Sequence, residues 1–436
     1  MVVLKSAFVK IWGEVVGAVS WDEERRLASF EYAPEFKVKN IDLSPIKMPI
    51  HSDQKIFSFL DLRTPRESEF DTFKGLPGLL ADVLPDKYGN QLMNVWLAQN
   101  GRAANSMNPI EQLCFIGTRG MGALEFEPTQ IKTPKNSFEV EINNLVSIAS
   151  RMLANRAEFE VDLGKDEHQA MMEILKIGTS AGGARPKAII AYNKKTGQVR
   201  SGQANSPKGF EHWMIKLDGV SDAQFGESTG YGRVEMAYYN MATAAGVEMM
   251  PCELLEENGR AHFMTKRYDR DEKNTKHHIQ TFCAMQHFDF NEVHSFSYEQ
   301  LFQTMRILRL PYPDADQMFR RMVFNVIARN CDDHTKNFAF RLKKGSEWEL
   351  APAYDICHAY RPDSRWVSQH ALSINGKRTG IERNDLLIFA KSMNVKRPDR
   401  IIDEVNAVVQ NWKIYADQVN VTVRKRDAIS ATLLNL

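Results

Sequence analysis

The run Asn330-Cys331-Asp332-Asp333-His334-Thr335-Lys336-Asn337 is the densest cluster of chemically capable side chains in the 436-residue sequence. It follows Met318, Phe319, Met322, Val323, Val326 and Ile327, whose helical spacing predicts a buried helix ending in a charged loop. Beyond it, FAFRL, the turn Lys343-Lys344-Gly345-Ser346 and EWELA read as strand, turn, strand, and a β-hairpin returns to where it began. Asp355, 18 residues after Asn337, is therefore expected beside it. Asp332 and Asn337 have D-x-x-x-x-N spacing, in which a carboxylate can accept a hydroxyl proton and an amide oxygen can hold a hard cation. With Asp355 as a second oxygen ligand, the set predicts phosphoryl transfer from a Mg²⁺-bound triphosphate.

Features upstream bear on that chemistry. Ser180-Ala181-Gly182-Gly183-Ala184 precedes Arg185-Pro186-Lys187 and the strand KAIIAYN, and its small residues could turn backbone N–H groups toward phosphate oxygens. The same stretch also reads as a plain turn, since it matches neither the Walker spacing nor G-x-G-x-x-G. Lys216 lies late in the apolar strand Trp213-Met214-Ile215-Lys216-Leu217. It is either an exposed lysine at a sheet edge or an ammonium that an anion must meet. Glu235 opens the next helix, where it could pair with Lys216 or simply complement the helix dipole.

These residues need elements to position them. Ala7 to Tyr32 reads as a meander in which VKIWGEVVGAVSW is one strand and LASFEY its return, with Asp22-Glu23-Glu24 as the break. LPGLLADVLPDKYGNQLMNVWLA predicts short helices split by turns at Pro77, Pro85 and Gly89, and CFIGTRGMGALEFEP a loop leading into a strand. PTQIKTPKNS is the best boundary, followed by a helix from Val140 to Arg156 with Ser137 as its N-cap. From Lys187 to Arg270 strands alternate with one helix, Val234 to Ala245 ended by Gly246, and beyond Tyr298 the apolar period is mostly helical. The division is thus 1–128, a mixed lobe 129–275 and a helical lobe 276–436.

Lysine plus arginine number 56 and aspartate plus glutamate 55, a net charge of +1, with 43% hydrophobic and 25% charged residues. That balance describes a globular chain of two to three domains and excludes a histone-like binder. The five cysteines include no C-x-x-C pair, which argues against a disulfide framework or a structural zinc site. Lys5, Lys10 and Glu14 interrupt the apolar N-terminus, no long uncharged run follows, and a cytoplasmic protein is expected. His277, His278, His287 and His294 read as scattered surface histidines, and Arg424-Lys425-Arg426 and Lys377-Arg378 as solvated charge. A second reading of the polar cluster is a metal-dependent phosphohydrolase using Asp332, Asp333, His334, Asp355 and His358. A third is a non-catalytic binding module.

The sequence resembles the HipA serine/threonine kinase toxins of bacterial type II toxin–antitoxin modules. The resemblance is carried in order by VGAVSWDEERRLASFEYAPEF, LLADVLPDKYGN, IGTRGMGALEFEP, TSAGGARPKA, HWMIKL, TKRYDR, IQTF, the D-D-H-T-K-N-F block and APAYDI. It implies an α+β fold, with an N-terminal α/β domain joined to a bilobal phosphoinositide-kinase-like core with a helical C-lobe. Asp332 is then the catalytic base, and Asn337 and Asp355 are the Mg²⁺ ligands. ATP would be met by Ser180, Ala181, Gly182, Gly183, Ala184, Lys187, Lys216, Lys266, Arg267, Tyr268, His334 and Lys336, with the backbone of Lys266-Arg267-Tyr268 at the adenine and Lys216 at the phosphates.

Ser180 matches the serine that such kinases autophosphorylate, although Thr179 stands directly before it. A phosphate there would repel ATP, so self-inactivation is expected. The resemblance further implies phosphorylation of an aminoacyl-tRNA synthetase, typically the glutamyl enzyme, with stalled translation, dormancy and persistence. It also implies a HipB-like helix-turn-helix antitoxin that binds operator DNA. In the binding-module reading, the chain would serve that antitoxin as a co-repressor. Asn330-Cys331-Asp332 stands where protein kinases have His-Arg-Asp, and Tyr354-Asp355-Ile356 where they have Asp-Phe-Gly.

Overall fold

Ala7, Val9 and Ile11 alternate with exposed Ser6 and Phe8, and this period of two makes β1 (Ser6–Ile11) a strand with one buried face. The computed structural model describes residues 3–63, 71–85, 87–130, 136–154, 185–203, 206–220 and 230–436. Two units divide the chain. Met1–Asp42, Ile50–Gly232 and Glu253–His278 form the first; Leu43–Pro49, Arg233–Cys252 and Ile279–Leu436 form the second.

In the first unit β1 pairs antiparallel with β2 (Glu14–Asp22), which pairs with β3 (Leu27–Tyr32). The expected single strand VKIWGEVVGAVSW is broken at Trp12-Gly13. Both residues have positive φ, +51° and +84°, as a two-residue hairpin turn with right-handed strand twist requires. With β4 (Ile56–Phe57) and β5 (Leu124–Glu127) the sheet runs β4-β3-β2-β1-β5. The apolar helix Pro109–Ile116 begins at an Asn108–Glu111 capping box, so Cys114 to Ile116 close a helix where a loop was expected. The helix Lys87–Gln99 runs through Gly89 without a break.

A second sheet in this unit has the order β7-β6-β8-β10-β9, from β6 (Lys187–Tyr192), β7 (Val199–Ser201), β8 (Glu211–Lys216), β9 (Cys252–Glu257) and β10 (Arg260–Lys266). Ala188, Ile190, Trp213, Ile215 and Met264 form a core with Leu92 and Trp96 of the Lys87–Gln99 helix. Leu145, Val146 and Ala149 join that core from the helix Ile142–Ala154. Ser137 does not cap that helix. It is buried, and its hydroxyl accepts from Arg200 Nε at 2.9 Å.

A buried ionic node ties the N-terminal sheet's β5 loop to the segment after β10. Asp269 takes a two-pronged contact from Arg267 at 2.8 and 2.6 Å, accepts from Arg270 Nη1 at 2.8 Å, and accepts from Gly122 N at 2.7 Å. Burial alone would raise this carboxyl, but the two guanidiniums hold it well below the usual carboxylate range. Lys276 Nζ donates to Thr118 O at 2.7 Å and to Glu125 Oε1 at 2.6 Å.

In the second unit the expected helical content is present as Tyr298–Ile307, Tyr312–Ile327, Arg383–Met393, Pro398–Val409, Trp412–Gln418 and Val423–Ser430. Met318, Phe319, Met322, Val323, Val326 and Ile327 lie fully buried at its centre, with Leu386, Phe389, Ile402 and Val405 packed around them. The hairpin forms from β13 (Ala339–Leu342) and β14 (Trp348–Leu350), in register Phe340↔Leu350 and Leu342↔Trp348. β11 (His278–Thr281) joins β13 on its other side, and β12 (Phe296–Ser297) pairs in parallel with β15 (Leu372–Ser373). The expectation of surface histidines fails at His277 and His278, which are buried; His287 is half-buried, and desolvation, with Lys47 nearby, depresses its imidazole to about 3. His278 opens β11, which pairs with β13 from a remote stretch of chain, a partnership the polar sequence did not signal.

Candidate functional site

The Tyr312–Ile327 helix delivers the chain into residues 328–337 through a fixed exit. Tyr238 Oη donates to Ala328 O at 2.7 Å, and Asn330 N donates back to Asn325 O at 2.9 Å. The loop then alternates inward and outward. Cys331, Asp333, Thr335 and Asn337 are buried, whereas Asp332, His334 and Lys336 are partly exposed. Asp332 is thus presented at the surface of the loop, with His334 Nε2 at 3.8 Å from its Oδ1. The His334 ring packs at 5.2 Å from Phe290, and Lys336 Nζ stands 5.1 Å over the same ring.

Asn337 is oriented by its own loop. Its side-chain NH₂ donates to the Asp332 carbonyl at 2.7 Å, so its Oδ1 is the end left to face a cation. Arg321 donates to the Asn337 carbonyl and lies 5.6 Å from the Tyr354 ring. Tyr354 Oη in turn donates to Lys336 O at 2.7 Å. The hairpin therefore returns the segment carrying Asp355 to the loop of residues 330–337, as its strand–turn–strand pattern required. Asp355 is exposed and sits at φ +55°, a left-handed conformation that Asp tolerates better than most residues. A hard divalent cation needs oxygen donors, and an oriented amide oxygen with an exposed carboxylate on the adjoining segment is a donor set of that kind.

In the first unit, Lys187 and Lys216 stand directly opposite each other in β6 and β8, with Phe263 of β10 next in the same row. β8 is a central strand, so Lys216 is not at a sheet edge. It is half-buried, its Nζ 5.8 Å over the Phe263 ring. Lys187 is buried. Two lysines at directly opposed positions place two positive side chains in one row of the sheet. Gly232, at the start of the helix Tyr231–Ala244, lies so close to β10 that a Cβ would come within 2.0 Å of Ala261 O. Arg185 stacks over Tyr231 at 3.7 Å. Lys266 pairs with Glu211, Arg267 donates its backbone N–H to His212 O at 3.0 Å, and Tyr268 is half-buried. Thr179, Ser180, Ala181, Gly182, Gly183 and Ala184 lie outside the described residues. Glu235 is buried on the Tyr231–Ala244 helix.

The residues needed for a two-metal hydrolase point elsewhere. Asp333 is enclosed against His370, Tyr298 and Ala371. His358 lies 2.9 Å from Thr432 Oγ1, and burial, with Arg329 nearby, depresses its imidazole to about 4. Among the described residues no group of three His, Cys, Asp or Glu side chains is disposed to hold a metal ion. His370, Tyr298 and Tyr354 carried no signal in the sequence, because each acts through a partner remote along the chain.

Residues 179–412 match the HipA-like C-terminal domain and residues 7–127 the HipA N-terminal domain, and the chain belongs to the HipA family. Its α+β fold is HipA-like. A chain of the “Shewanella oneidensis MR-1 Toxin Antitoxin System HipA, HipB and its operator DNA complex” superposes with a TM-score of 0.68 at 16% identity. That match covers 98% of this chain and 94% of the other. A relative from Sinorhizobium fredii, “Putative kinase Y4mE”, is 28% identical over 172 residues, 36% of this chain and 40% of that protein. The matched stretch spans under half of that relative. Among the described residues no helix is long and apolar enough to cross a membrane.

Proposed function

We propose that this protein is an ATP- and Mg²⁺-dependent protein serine/threonine kinase that acts as the toxin of a toxin–antitoxin module. The observation that carries the reading is the pairing of two segments. Asn337 is tied to Asp332 by its side-chain NH₂, and the Asp355 segment is tied to the same loop through Tyr354 and Lys336. In this reading Asp332 accepts the proton of the acceptor hydroxyl, while Asn337 Oδ1 and Asp355 hold Mg²⁺, which neutralises charge on the triphosphate. Lys216 and Lys187 meet phosphate oxygens; their directly opposed positions in β6 and β8 support a shared role. His334 and Lys336 are further nucleotide contacts, as is the backbone of Lys266, Arg267 and Tyr268.

The acceptor is an aminoacyl-tRNA synthetase, with the glutamyl enzyme the first to test, so that transfer stalls translation in the cytoplasm and promotes persistence. Ser180 is the autophosphorylated residue. The partner is a HipB-like helix-turn-helix antitoxin, with operator DNA held mainly through it; the solved HipA relative is a complex with HipB and operator DNA. The co-repressor reading without catalysis has the same partners but leaves the outward Asp332 and oriented Asn337 without a role.

The test is transfer of labelled phosphate from ATP and Mg²⁺ by wild type and Asp332→Asn, alone and with glutamyl-tRNA synthetase. Label on the synthetase that vanishes in the variant supports the kinase and its acceptor. Label confined to the chain itself supports the kinase and removes the acceptor. No label with a protein of unphosphorylated mass overturns the kinase.

A further inference from the structure

Two consecutive carboxylates in the catalytic loop face opposite ways. The Asp332 side chain is 48% exposed, whereas that of Asp333 is wholly enclosed. Burial alternates residue by residue from Cys331 to Lys336, so the two side chains diverge and whatever fixes Asp333 inward turns Asp332 outward.

Asp333 is held by three donors. Its Oδ1 accepts from Ala371 N at 2.7 Å; its Oδ2 accepts from His370 Nδ1 at 2.9 Å and from Tyr298 Oη at 2.8 Å. An ionised carboxylate only accepts, so Nδ1 carries the proton. Tyr298 Oη also accepts from Asn325 Nδ2 at 3.1 Å, and Asn330 Nδ2 donates to Asn325 Oδ1 at 3.0 Å. This chain of hydrogen bonds therefore leaves the loop at Asn330 and re-enters it at Asp333, with Cys331 and Asp332 between the two points in sequence.

The segment from Ala359 to Ala371 brackets the same residue. At its start Cys331 N donates to Ala359 O at 3.0 Å, and Ala359 N to Arg329 O at 3.1 Å. At its end it is held by Asp333, while Arg378 donates to Ala371 O and to Phe296 O, the latter at 2.9 Å. Asp332 lies in the chain between the two attachments. Burial alone would lower the His370 imidazole, but the Asp333 carboxylate overrides it and pushes it up to about 10.

We propose that Asp333 and His370 are a positioning pair that holds Asp332 outward for proton abstraction from the acceptor hydroxyl, a role that rests on the kinase reading. Neither touches the nucleotide or the acceptor; both act through the direction of Asp332.

The experiment compares wild-type full-length protein with His370→Ala and His370→Asn in labelled phosphate transfer, with kcat and KM for ATP measured separately. His370→Ala is expected to lower kcat by about 100-fold, the scale of a small misplacement of a catalytic group, with KM for ATP unchanged. His370→Asn, whose amide NH₂ can reach Asp333 in place of Nδ1–H, is expected to recover about tenfold of that loss. A His370→Ala protein with wild-type kcat overturns the positioning role while leaving the kinase intact. So does a parallel loss of kcat and ATP affinity in both variants, which marks packing alone. Should His370→Ala fail to fold, Tyr298→Phe removes another donor to Asp333: a lowered kcat at unchanged KM supports the pair, and an unchanged kcat overturns it. Absence of transfer by unphosphorylated wild type overturns the kinase reading and this inference with it.

Discussion

Tyr354 Oη donates to the Lys336 carbonyl at 2.7 Å, joining the segment that carries Asp355 to the loop that carries Asp332 and Asn337. The proposed metal ligands come from opposite ends of the hairpin, so their separation depends on such contacts as well as on the strand register.

Tyr354→Phe removes this hydrogen bond and keeps the ring beside Arg321. A stability loss of about 0.5–1.5 kcal/mol is expected in urea unfolding. The Mg²⁺ concentration for half-maximal phosphoryl transfer should rise several-fold, because Asp355 is less firmly held beside Asn337. An unchanged Mg²⁺ midpoint would separate Asp355 from metal binding.

The opposed Lys187 and Lys216 make a prediction about binding. At ATP one hundred times above its dissociation constant, ligand should stabilise wild type by about 2.7 kcal/mol. A tenfold weaker Lys216→Met would gain about 1.4 kcal/mol at the same ATP concentration. Thermal unfolding with and without Mg-ATP measures both. Equal ATP stabilisation of the two proteins would remove Lys216 from the phosphate site.

Asp269 neutralises Arg267 and Arg270 in the interior of the first unit. Asp269→Asn leaves those guanidiniums buried without their counter-charge and should cost about 3–5 kcal/mol at neutral pH. Because the native carboxyl is held below its unfolded value, its contribution is present above about pH 4 and is lost as pH falls through the lower native value. Urea midpoints of wild type and variant should therefore approach each other in acid. A constant gap down to strongly acidic pH would contradict the ionic role.

His370 has the opposite sign. Its native value is raised, so its stabilisation is complete below the unfolded value of about 6.5 and declines as pH rises through about 10. Wild type should lose urea stability across that alkaline interval relative to His370→Asn, which has no proton to lose there. Parallel curves for the two proteins would show that His370 is not held as an imidazolium.

Much of the second unit was legible because its signals are periodic. The apolar stripe from Met318 to Ile327 specified the buried helix, and FAFRL, a glycine turn and EWELA specified the hairpin. Where readings failed, the deciding partner was remote. Ser137 has the right chemistry for an N-cap, yet Arg200 engages it from a strand more than sixty residues away. The Trp12-Gly13 turn was missed because a tryptophan at positive φ is rare, although the glycine beside it is the usual sign of a tight hairpin.

The sequence by itself determined which side chains could do chemistry, their D-x-x-x-x-N spacing and the hairpin that carries Asp355 back, because these follow from residue type and short-range periodicity. Tertiary structure alone decided that Asp332 faces outward while Asp333 is enclosed with His370, and that Lys187 stands opposite Lys216. Those outcomes depend on strand register and on hydrogen bonds between segments far apart in the chain. Two adjacent aspartates are chemically identical until a remote histidine reaches one of them.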